Sequence, residues 1–166
     1  MKIKLIFLLL IFLFLAIISC LGIGSLFWIN KQNSISITSD QVLVSLEKAG
    51  YNISNIKPIN ELNPGPLGYT GKGLCFNLLQ DDIYYKVCVV DTDGWKIAKS
   101  NAKITNDLNR QMGGYFNHAF FYGPVVINVH PPKDELGNRL DKEVGYGLNV
   151  AIGKEIYSVL EDRRIE

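Results

Sequence analysis

The sequence predicts an α+β protein: a single N-terminal transmembrane helix, a tether, then a two-layer sandwich in which helices cover an antiparallel sheet of two hairpins. Three observations carry that expectation. No charged residue occurs between positions 5 and 29. Two stretches, 74–90 and 115–130, read as strand pairs around the short turns Asp81-Asp82 and Gly123-Pro124. Segments with apolar residues at helical spacing precede, separate and follow those stretches.

The apolar run comes first. As a helix, residues 5–29 span about 37 Å, more than a hydrocarbon core of about 30 Å. A cleavable signal has an apolar region of only about 7–15 residues, so a retained signal-anchor is the leading reading. Two alternatives stay open. Ile17-Ile18-Ser19-Cys20 fits a lipoprotein signal with Cys20 as the lipidation candidate, although the residues after it are apolar where a polar tether is usual. Gly22-Ile23-Gly24 offers a weak site for ordinary cleavage. Lys2 and Lys4 favour a cytoplasmic amino terminus, and Trp28 stands where an interfacial aromatic anchors the far end. The expected organisation is a membrane segment at 1–30, a tether at 31–38 and an extracytoplasmic domain at 39–166. The expected location is the cell membrane, single-pass, with that domain outside the cytoplasm. A type IV pilin is excluded, because it needs a Glu early in this run and none occurs.

Charge narrows the partners. All 16 Asp and Glu lie beyond residue 30, as do all but two of the 17 Lys and Arg. They are well mixed, with no basic face for nucleic acid. A domain of this length can bury its own core.

Thr38-Ser39-Asp40-Gln41 is a capping box, followed by Val42, Leu43, Leu46 and Ala49 at helical spacing and a Gly50 stop. This predicts a helix over 39–49 and a strand over 53–59. Residues 60–73 hold Pro64, Pro66 and four glycines, a long irregular stretch of the kind often used in binding. Gly71-Lys72 is no phosphate loop: Pro66 and Gly73 replace the required Gly and hydroxyl residue, and a strand follows.

In the first hairpin Asp81-Asp82 makes the turn, so paired residue numbers sum to 163. Leu74, Phe76, Leu78, Ile83, Tyr85, Val87 and Val89 then share one apolar face. Cys75, Asn77, Leu79, Tyr84, Lys86 and Cys88 share the other. Cys75 falls opposite Cys88 at a non-hydrogen-bonded position, where Cα atoms lie about 4.5 Å apart. In an oxidising exterior this predicts a disulfide.

Asp91-Thr92-Asp93-Gly94 opens like a calcium loop, but Lys96 takes the sixth place. The two carboxylates read instead as the start of a helix over 93–112. In that helix Trp95, Ala98, Ala102 and Thr105 form one row, with Ile97, Ile104, Leu108 and Met112 beside it. The second hairpin turns at Gly123-Pro124 and stops at Pro131-Pro132. A final helix is solid over 146–161; the glycines of its lead-in and interior argue for a break or for close packing.

The stretches Leu46-Glu47-Lys48-Ala49-Gly50-Tyr51, 87–91 and Phe121-Tyr122-Gly123-Pro124-Val125-Val126-Ile127 look similar to those of small exported or membrane-anchored bacterial proteins of unassigned function. The resemblance would cover residues 38–160. It implies an envelope location and carries over no active site.

Chemistry is sparse. With a two-residue turn, His118 opposes Val129 and His130 opposes Asn117, so the rings face opposite ways; a three-residue turn would bring them together. No Gly-x-Ser-x-Gly elbow exists. No catalytic residue, cofactor or metal ligand is assigned. The expected function is a membrane-tethered binding or interaction domain, contacting lipid through residues 5–29 and an unknown protein or envelope component through Tyr69, Lys72, Phe121 and Tyr122. The rivals are an accessory subunit docking through its anchor helix, and a thiol-dependent enzyme using Cys75 and Cys88.

Overall fold

The computed structural model describes residues 13–14, 22, 24–59, 72–111, 117–133, 138 and 140–162. They belong to two units, one ending at Ser34 and one beginning at Ile35. In the first, the described residues are helical. No helix among the described residues is long and apolar enough to cross a membrane. Most of the expected anchor, Cys20 included, lies outside the described residues, as does the segment 60–71 with Tyr69.

The second unit runs α1 (Ser39–Lys48), β1 (Asn52–Ile59), β2 (Gly73–Gln80), β3 (Ile83–Asp91), α2 (Trp95–Gln111), β4 (His118–Tyr122), β5 (Val125–Val129) and α3 (Lys142–Asp162). The strands form one sheet in the order β1-β2-β3-β5-β4, with every neighbouring pair antiparallel. The class is α+β, as the periodicities predict.

Both turns match the sequence register. Asp81 and Asp82 sit at φ 50° and 60°, the left-handed pair of a type I′ hairpin turn that Asp tolerates. Pairing then runs from Gln80↔Ile83 to Gly73↔Val90. Gly123, at φ 54°, opens the second turn, and His118 pairs with Val129.

The front of the sheet carries the main core. Phe76, Leu78, Val87, Val89, Val125, Ile127 and Val129 are buried there with Val42 and Leu46 of α1 and Ile152, Ile156 and Leu160 of α3. α2 does not join them. Its Ala98 and Ala102 pack on Ala119 and Val126, the reverse-facing residues of β4 and β5. The fold therefore has helices on both faces, three layers where two were expected. The small inward residues of α2 permit that close approach, while Ile97, Ile104 and Leu108, expected in its packed rows, stay exposed.

α3 also departs from expectation. It starts at Lys142 and continues through Gly145, Gly147 and Gly153. Gly153 marks a close contact: a Cβ there would lie 3.1 Å from the His118 ring and 3.3 Å from that of Phe120. Tyr122 donates its hydroxyl to the Leu160 carbonyl at 2.7 Å, and Gln80 donates to Glu155 at 3.0 Å. These bonds fasten the helix along its length.

Polar side chains close the exposed ends of elements. The Thr38–Gln41 capping box is present. Asp91, expected at the start of the second helix, instead accepts from the Ser39 amide (2.7 Å) and hydroxyl (2.9 Å), tying α1 to the end of β3. At the β4 edge, counting outward from the turn makes Ala119↔Asn128 a non-hydrogen-bonded pair, so the Ala119 amide and carbonyl point away from the sheet. Asn106 of α2 donates to that carbonyl at 2.7 Å and accepts from that amide at 2.9 Å. The opposite edge, β1, is blunted by Lys57, Pro58 and a bulge between Ser54 and Lys57.

Candidate binding cleft

α2 covers β4 and β5, and the reverse of β2 and β3 carries a polar surface. Reading across the strands, one row is Cys75, Cys88, Asn128 and Ala119. The next row begins Asn77, Lys86 and continues to His130, whose amide donates to the Lys86 carbonyl at 2.9 Å.

Cys75 and Cys88 are joined in a disulfide, with Cα atoms 4.1 Å apart. The pair occupies the register position derived from the turn, and it staples β2 to β3 on this face.

Beyond Val129 the pairing changes step. Val87↔Val129 sums to 216, whereas the bridge Tyr84↔Lys133 sums to 217. One extra residue therefore lies on the 130–132 side, where Pro131 and Pro132 have no amide hydrogen to offer the ladder. In a regular strand His130 and Lys133, three apart, would face opposite ways. The extra residue returns Lys133 to the face of His130. Tyr84 and Lys133 exchange both backbone hydrogen bonds, at 3.1 and 3.0 Å, which pins the arrangement.

The result is a cleft of about 280 Å³ lined by Asn77, Tyr84, Lys86, His130, Pro131 and Lys133. Burial, reinforced by the neighbouring Lys86 ammonium, pushes the His130 imidazole down to about 4, so it is neutral at physiological pH. His118 is lowered too, by burial and then Lys154, but it lies on the front beside Tyr146 and Phe120. The two histidines cannot share a ligand. Among the described residues no group of three or more His, Cys, Asp or Glu side chains is placed to hold a metal ion.

The other expected contact residues separate. Lys72 is exposed, and its carbonyl accepts from the Asp91 amide at 2.7 Å. Phe121 packs against the α2 layer. Tyr122 is 1% exposed and belongs to the front core, so it offers no contact surface. Alternation had put Asn77, Tyr84 and Lys86 on one face; what sequence reasoning missed was their meeting with His130 and Lys133. The signal available was Pro131-Pro132, which reads as a strand stop as easily as a bulge.

No protein-family model matches this chain, and neither the curated proteins nor the solved structures contain a significant match to it.

Proposed function

We propose that the chain is a membrane-tethered extracytoplasmic binding domain without catalytic activity, and that the reverse-face cleft is its contact site. The observation that carries this reading is the Cys75–Cys88 disulfide. Such bonds persist in oxidising compartments and are rare where thiols are kept reduced. The charge-free run over 5–29 supplies the tether in this account. Its described side chains Leu13, Phe14, Leu26 and Phe27 are each at least 60% exposed, as a lipid-facing helix requires.

Gly22 and Gly24 favour a second reading, an accessory subunit docking through the anchor. Both are helical with open space around the Cβ position, and with Ser25, which shares the face of Gly22, they form a small-residue patch suited to helix contact. A thiol nucleophile at Cys75 or Cys88 would first require reduction of the bond between them.

Trypsin added to intact spheroplasts and to inverted membrane vesicles tests the topology. Digestion of residues beyond 31 in spheroplasts, with protection in inverted vesicles, is the expected result. The opposite pattern overturns the reading.

A further inference from the structure

We propose that the reverse-face cleft binds a phosphate group, with Lys86 and Lys133 as its counter-charges and Tyr84, Asn77 and His130 as additional hydrogen-bonding partners. This deepens the contact-site reading above, and only the source of the ligand depends on an extracytoplasmic location.

Three features converge. First, the cleft gathers polar side chains that make no hydrogen bond or ion pair with other described residues: the Lys86 and Lys133 ammoniums, the Tyr84 hydroxyl, the Asn77 amide and the His130 ring. Second, no carboxylate is present among its described lining residues, so the two positive charges are unopposed within that set. Third, the site is built rather than accidental. The extra residue at Pro131-Pro132 brings Lys133 onto the His130 face, and paired backbone bonds hold it opposite Tyr84. A disulfide fixes the two strands one row away.

The donor chemistry selects among anions. Arginine's planar fork matches a carboxylate in two parallel bonds, and no arginine is among the described residues lining this cleft. Lysine acts as a point charge that suits the tetrahedrally disposed oxygens of phosphate. The neutral imidazole completes the set: it can donate from its protonated nitrogen, and a bound anion would raise its affinity for a second proton. Among the described residues, the titratable groups facing that ring are Lys86, beside it on β3, with Tyr84 and Lys133 on the cleft rim.

The test is an NMR titration of the His130 ring in the full chain, held in a non-ionic detergent micelle, with inorganic phosphate at constant ionic strength. Saturable shifts with a dissociation constant of about 1 mM and a rise in the His130 pKa of about one unit are expected. Acetate should bind at least tenfold more weakly. The variant Lys86→Gln/Lys133→Gln should lose at least tenfold in phosphate affinity while its thermal midpoint stays unchanged. Comparing inorganic phosphate with glycerol 3-phosphate then separates sources. Tighter binding of the ester supports the site and names a phosphoester headgroup or polymer. Tighter binding of the free ion supports the site and names phosphate itself. Linear shifts without saturation, equal binding of acetate, or full affinity in the double variant overturns the proposal. A negative titration alongside trypsin-accessible residues removes the phosphate site and leaves the topology standing; the reverse combination does the opposite.

Discussion

On the front of the sheet, Leu74, Phe76, Leu78, Tyr85, Val87 and Val89 disappear beneath α1 and α3. On the reverse, the same two strands show Cys75, Asn77, Tyr84, Lys86 and Cys88, and α2 covers the neighbouring strands β4 and β5. One face is closed by side-chain packing. The other is held by a covalent bond and backbone pairing, which leaves its polar groups free to meet something else. Substitutions on the reverse of β2 and β3 can therefore change that surface without opening the core.

The comparison is sharpest at Phe76, 1% exposed on the front face. Phe76→Ala should cost about 3–5 kcal/mol, enough to leave the domain largely unfolded in a urea titration. A loss below about 1 kcal/mol would mean the front is not the main core. Next comes pH. His130 has a folded pKa of about 4, below its unfolded value. Between the two, the unfolded chain binds a proton that the folded chain does not. Stability is therefore full above about pH 6.5 and falls as pH drops towards 4, by up to about 3 kcal/mol. His130→Asn should flatten most of that slope, leaving the smaller contribution of His118, which shifts in the same direction.

Removing the staple comes third. Cys75→Ala/Cys88→Ala opens a loop with a sequence separation of 13 and should lower stability by about 2–3 kcal/mol. At the covered part of the reverse face, Asn106→Ala removes both hydrogen bonds that the side chain makes to the Ala119 amide and carbonyl at the β4 edge. A loss of about 1–2 kcal/mol is expected, with faster amide exchange at Ala119 as its local signature. Smallest of all, Lys86→Gln should change stability by less than about 0.5 kcal/mol, since the side chain is exposed and packs into no core. A large loss there would show the open face to be structural after all.

What the chain reveals before folding follows the range of the interaction involved. Asp81-Asp82 and the flanking alternation set the whole β2–β3 register, and with it the disulfide, because every pair is counted from one local turn. The capping box of α1 is legible for the same reason. The side taken by α2 is not, because its amphipathic pattern says that one stripe is buried and not which face of the sheet buries it. Asp91 looked like a local helix start; its partner Ser39 lies 52 residues away and only the assembled sheet brings them together. The cleft was half visible. Alternation grouped Asn77, Tyr84 and Lys86, but His130 joined Lys133 only through one extra residue at a proline pair.

The oxidation state of Cys75 and Cys88 in living cells is the most direct test of a stapled, extracytoplasmic domain. Cells quenched in acid, alkylated, then reduced and alkylated with a second reagent would be read by peptide mass spectrometry. The second label on both residues is the predicted result, since a closed bond shields them from the first. The first label on either residue would show free thiols, contradicting the stapled reverse face and the oxidising location together.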